Sequence, residues 1–107
     1  MKLSALQQYN VIRTLYADDR IQAKLEYISR RFRNRQAYED LRQEIEKVEK
    51  SLSYTAKYNL PHVDNNGVEY RFAFINVGEG YYLLYHIVND TVIVDDCLHK
   101  RELRVIP

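Results

Sequence analysis

The stretch VEYRFAFINVGEGYYLLYHIVNDTVIVDDCL, Val68 to Leu98, decides the fold. Tyr70, Phe72 and Phe74 alternate with Arg71, Ala73 and Ile75. After the turn Gly78-Glu79-Gly80, Tyr81, Leu83, Tyr85 and Ile87 alternate with Tyr82, Leu84, His86 and Val88. Successive side chains of a strand point to opposite faces, so a period of two reads as strand. Asn89-Asp90 is a two-residue hairpin signal, and Thr91 to Leu98 reads as the last strand. Three strands joined by tight turns are expected to form an antiparallel sheet.

Upstream the period lengthens. Ile21, Leu25, Ile28 and Phe32 form one apolar stripe of a helix, with Asp18 or Asp19 as its expected N-cap and Arg30, Arg31 and Arg33 at its negative end. Asn34 is a breaker and an N-cap for a second helix, whose face carries Ala37, Leu41, Ile45, Val48 and Leu52. Glu46 and Lys50 have the spacing of a helical ion pair. So short a connection predicts an αα-hairpin. QYNVIRTLY, Gln8 to Tyr16, suits a strand, and Met1 to Gln7 reads as a frayed start or a helical turn. Ser53 to Gly67 reads as irregular, with Pro61 and the turn signal Asp64-Asn65-Asn66-Gly67. The expected fold is α+β: an N-terminal strand, an antiparallel helix pair, then a three-stranded antiparallel sheet, in one domain over 1–107.

Composition narrows the class. At 107 residues, 46% hydrophobic and 29% charged, the chain suits one globular domain with its own core. A single cysteine, Cys97, excludes an internal disulfide and argues against a thiolate zinc site. No metal or cofactor is expected. No apolar run approaches the ~20 residues of a membrane span, and Met1 to Gln8 lacks a signal-peptide pattern, so a cytoplasmic protein without a membrane partner is expected. The net charge of +1 hides an asymmetry. Arg20, Lys24, Arg30, Arg31, Arg33 and Arg35 are accompanied by the one acid Glu26, and Glu39, Asp40, Glu44, Glu46 and Glu49 follow. The basic stretch either pairs with the acidic one or meets phosphates or an acidic protein.

Two segments resemble a known family. YISRRFRNRQAYEDLRQEIEKVEKSLSYTAKYNL is similar to the paired helices of ParE-type toxins, and EYRFAFINVGEGYYLLYHIVNDTVIVDDCLHKREL resembles the sheet strands of RelE and ParE. The resemblance runs from about Tyr9 to Leu103 and lies in the order and spacing of the pieces. It implies the toxin of a type II toxin–antitoxin pair, held inactive by a cognate antitoxin protein in a hetero-oligomer. RelE-like members cleave mRNA on the ribosome without a metal, whereas ParE-like members inhibit DNA gyrase.

Metal-free RNA cleavage needs an activated 2′-hydroxyl, a stabilised pentavalent phosphate and a protonated leaving oxygen. By the resemblance, Arg71 stands where the nucleases place a basic residue, and Arg101 where a phosphate-stabilising arginine lies, with Lys100 beside it. His99 adds a side chain type suited to proton transfer. Arg71, with the alternation read as above, is otherwise an exposed strand residue facing away from the helices. Two positions depart from the nuclease pattern. Tyr82 occupies the place of a catalytic arginine, and a phenol supplies no fixed positive charge. No tyrosine follows Arg101 in Leu103-Arg104-Val105-Ile106-Pro107.

Other signals are weaker. His62, His86 and His99 lack zinc-ligand spacing, and Asp95-Asp96 reads as strand residues sooner than as an ion site. Cys97 is expected to be a buried, inert thiol despite Lys100 and Arg101 nearby. The ten tyrosines are scattered over helices, loop and strands, which favours packing over a stacking platform, with Tyr81 and Tyr85 in the core. The expected function is therefore a ParE-like growth-inhibiting toxin that binds a target such as DNA gyrase. The alternatives are a ribosome-dependent endoribonuclease using Arg71, His99, Lys100 and Arg101, and a non-toxic binding module that keeps the fold. Arg30, Arg31, Arg33 and Arg35 are expected to bind an acidic antitoxin segment.

Overall fold

The computed structural model describes residues 8–105, so the reading of Met1 to Gln7 lies outside the described residues. The order is β1 (Asn10–Arg13), α1 (Leu15–Phe32), α2 (Arg35–Thr55), a 3-10 turn (Ala56–Tyr58), β2 (His62–Val63), β3 (Glu69–Ile75), β4 (Tyr81–Val88), β5 (Thr91–His99) and a 3-10 turn (Lys100–Val105). The class is α+β, as expected, but the sheet is larger than the three antiparallel strands read from the sequence. It has five strands in the order β1-β5-β4-β3-β2. β3, β4 and β5 form the antiparallel meander, β2 adds an antiparallel two-residue edge, and β1 runs parallel to β5 from Asn10 beside Thr91 to Arg13 beside Val94. The mixed character follows from connectivity. The strand that follows the helix pair, β2, runs opposite to β1, and the three reversals β2–β3, β3–β4 and β4–β5 leave β5 running parallel to β1.

The β1–α1 junction is tighter than expected. Thr14, not Asp18 or Asp19, is the N-cap: its backbone is extended and its Oγ1 accepts from the Ala17 amide at 3.0 Å. Strand passes into helix with no loop, and Asp18 falls inside the first turn, where its carboxylate meets Arg13 at 2.8 Å. α1 ends on Arg33 in the left-handed region, with φ 45°. Asn34 then caps α2, its Oδ1 accepting from the amides of Gln36 and Ala37. Replacing it with alanine is expected to cost about 1 kcal/mol, read as a lowered thermal midpoint at unchanged native far-UV dichroism.

α2 continues past Ser53 to Thr55 and into Ala56–Tyr58, a stretch expected to be irregular. Leu52 and Ala56 are fully buried four residues apart, so the apolar stripe outlasts the stretch read as helix, and Pro61 stands just beyond the end. The expected Glu46–Lys50 pair is replaced by Arg42, whose guanidinium fork reaches Glu39 and Glu46, each at 2.9 Å. These exposed pairs add little stability.

Both helices cover one face of the sheet. Ile21, Leu25, Ile28, Leu41, Ile45 and Leu52 pack with Ala73, Ile75, Leu83, Tyr85, Val92 and Val94 in one core. Arg13 clasps this assembly at its β1 side, its guanidinium bonding both oxygens of Glu49 on α2 at 2.7 and 2.6 Å. Among the described residues no helix lies on the opposite face, and no helix is long and apolar enough to cross a membrane.

Candidate functional site

The β3–β4 turn brings Glu79 to the end of β5. Gly78 and Gly80 take positive φ there, Tyr81 pairs with His99, and the Lys100 amide donates to the Gly80 carbonyl. Glu79, His99, Lys100 and Arg101 consequently line one shallow, open concavity. Within it the imidazole of His99 is fully engaged. Its Nδ1 accepts from the Arg101 amide at 3.1 Å, which places the proton of the neutral ring on Nε2, and Nε2 donates to Glu79 Oε2 at 2.9 Å. Arg101 reaches the other oxygen of Glu79 at 3.3 Å. A general base needs a free lone pair, and this tautomer leaves His99 none.

Arg71 is elsewhere. It shares the helix-covered face with Ala73 and Ile75, not the face turned away from the helices, because the buried phase of β3 is the one it belongs to. Its Nη1 donates to the carbonyls of Lys57 at 2.9 Å and Asn59 at 2.6 Å, closing the end of the α2 segment. It stands opposite Tyr85, four residues along β4 from Tyr81 and so about 13 Å from the His99 level at strand rise. Three of the four candidate nuclease residues are therefore together, and the fourth is a tether for the chain after α2. Tyr82 lies on the uncovered face, its ring 6.2 Å from Phe72 and 5.3 Å from Phe74.

The carboxylates of Asp95 and Asp96 are both spoken for. β5 has an extra residue between the partners of Leu84 and Tyr85, and that residue is Asp95, whose bulge carries its carboxylate to His86 Nδ1 at 2.6 Å. Asp96 pairs with Arg20 at 2.8 Å. Among the described residues no cluster of ligands could hold a metal ion. Cys97 is fully buried, and burial pushes its thiol up to about 12 against the opposing pull of Lys24, so it is inert as expected.

The basic residues of the hairpin tip do gather. Arg30, Arg31, Arg33 and Arg35 are all exposed around the α1–α2 corner. Arg30 meets Glu26 at 3.4 Å, and among the described residues the other three make no ion pair. Of the acids of α2, Glu39 and Glu46 instead serve Arg42, and Glu49 serves Arg13. The basic and acidic stretches thus do not neutralise each other.

No protein-family model matches the chain, and no curated protein matches it. The site must be read from its own geometry. The feature the sequence reading missed is aromatic. His62, Tyr70, Phe72, Phe74, Tyr82 and His86 share the uncovered face, with His62–Phe72, Tyr70–His86 and Phe72–Tyr82 edge to face and Phe74–Tyr82 tilted, at centroid distances from 5.3 to 6.2 Å. The signal was present in the alternation of Tyr70, Phe72 and Phe74. It was hidden because the opposite phase, Ala73 and Ile75, is apolar too, so periodicity alone did not say which phase is covered.

Proposed function

We propose that this chain is a ParE-like growth-inhibiting toxin of a type II toxin–antitoxin system, acting in the cytoplasm by binding a target such as DNA gyrase. The single observation that favours binding over RNA cleavage is that Arg71 and His99, two of the four candidate catalytic side chains, are already engaged within the fold. Arg71 is spent on two backbone carbonyls, and both nitrogens of His99 are occupied. With Tyr82 at the arginine position and Arg71 away from the His99 concavity, cleavage would lack two of its cations and a free base. The α1–α2 corner supports the partner reading. Four exposed guanidiniums within six residues attract an acidic antitoxin segment and speed its encounter.

Tightly induced expression of the chain alone is the test. Growth arrest with an activated DNA-damage reporter and intact transcripts is the expected result. Arrest with ribosome-dependent cleavage of mRNA by the purified protein would replace this reading with the endoribonuclease. Normal growth with soluble, folded protein would replace it with the non-toxic binding module.

A further inference from the structure

We propose that the uncovered sheet face is a self-association surface, on which a second copy of this chain packs sheet against sheet. The proposal rests on this face alone and does not depend on the toxin reading.

The strand register fixes what the face contains. From β1 to β2 it carries Ile12, Ile93, Leu84, Tyr82, Phe72, Phe74 and Tyr70, with His86 and Asp95 between them. Several are far from covered: Phe74 is 51% exposed and Ile12 52%, at opposite sides of the sheet. Phe74 leans over Gly80, with a ring carbon 3.1 Å from where a Cβ would stand, so even the turn is shaped around it.

Charge selects the occupant. The two arginines in the described strands, Arg13 and Arg71, belong to the covered phase, paired with Val94 and Tyr85. No lysine or arginine of the strands therefore faces this side, and a polyanion would find stacking rings but no cations for its phosphates. An acidic segment is better served by the α1–α2 corner. The carboxylate at the middle of the face, Asp95, is held by His86 Nδ1 at 2.6 Å. Two copies related by a two-fold axis consequently meet with Asp95 and Asp96 each already bonded within its own copy, and an isologous interface sets the same apolar patch against itself.

Size is sufficient for a reversible dimer. Five strands at about 4.8 Å spacing, some six residues long, give a projected face of about 500 Å². Protruding rings expose more area than their projection, which brings the pair near the low end of the ~1,200–2,000 Å² of specific interfaces. Two such faces pack about 10 Å apart with interdigitated side chains, as in a sandwich. A dissociation constant in the micromolar range is expected from an interface of this size.

Sedimentation equilibrium of the full chain from about 1 to about 200 µM tests this. The wild type is expected to rise towards twice its 12.8 kDa. Phe74→Glu and, separately, Ile12→Glu are each expected to raise the dissociation constant at least about tenfold, since each puts a charge into an apolar contact. Tyr58→Glu alters an aromatic that is 78% exposed but lies in the Ala56–Tyr58 turn, and is expected to leave association unchanged. Far-UV dichroism and unfolding midpoints of the variants confirm that the exposed substitutions leave the fold intact. A wild type that stays monomeric throughout would overturn the proposal. So would a dimer that both face variants leave intact, or one that Tyr58→Glu abolishes.

Discussion

Tyr85→Ala is expected to destabilise the protein by about 3–5 kcal/mol, the largest effect of any single truncation considered. Tyr85 is fully buried on β4, beneath both helices. Its hydroxyl donates to the Ala56 carbonyl at 2.6 Å and accepts from the Asn59 side chain at 2.9 Å. Burial pushes the phenol up, and the bond from Asn59 opposes that, so the group stays a neutral donor to Ala56. Removing the ring opens a cavity where the sheet meets the end of α2 and strands a carbonyl and an amide. Tyr85→Phe separates the two contributions. It keeps the packing and loses the bonds, and is expected to cost about 1–2 kcal/mol. Urea midpoints of the three proteins at pH 7 decide the matter. A phenylalanine variant as unstable as the alanine one would mean that the hydroxyl, not the ring, holds the segment.

The same corner shows why part of this fold was legible and part was not. Ile21, Leu25 and Ile28, and Leu41, Ile45 and Leu52, were readable because helical spacing depends on neighbours a few residues away. Tyr81 and Tyr85 were readable as core and Tyr82 as the opposite phase for the same local reason. β1 beside β5 was not, because no local pattern states that Asn10 meets Thr91 across the intervening helices. Arg71 was misplaced by chemistry. Charge suggested an outward side chain, but the carbonyls left at the end of the α2 segment made the inward phase favourable for a guanidinium. His99, Lys100 and Arg101 are adjacent in sequence and so were bound to be neighbours. What sequence could not supply was Glu79, which a glycine-flanked turn delivers to them and which accepts from Nε2 of His99.

Glu102 is expected to give the protein an acid-sensitive clamp. It joins the C-terminal 3-10 turn to α1, accepting from Lys24 Nζ at 2.8 Å, from the His99 amide at 2.7 Å and from Arg20, which also holds Asp96. Burial pushes the Glu102 carboxyl up, but the bonds from Lys24, the His99 amide and Arg20 together outweigh it and hold the group at about 2, below the ordinary 4.5. A carboxylate whose folded pKa lies below its unfolded one contributes stability that is fully present above the unfolded value and disappears as pH falls through the folded value. The window here runs from about pH 4.5 down to about pH 2. The side chain is about one-third exposed, so solvent screening reduces the contribution to about 1–2 kcal/mol. Glu102→Gln keeps the shape and removes the charge, so it is expected to be less stable than the wild type by that amount at pH 7. The difference is expected to close as both are titrated towards pH 2, where the wild-type carboxyl takes up its proton. Urea unfolding of the pair at several pH values across the window measures it. A difference that stays constant would show that Glu102 acts through packing, because a lost charge interaction must vanish once the wild type is itself uncharged.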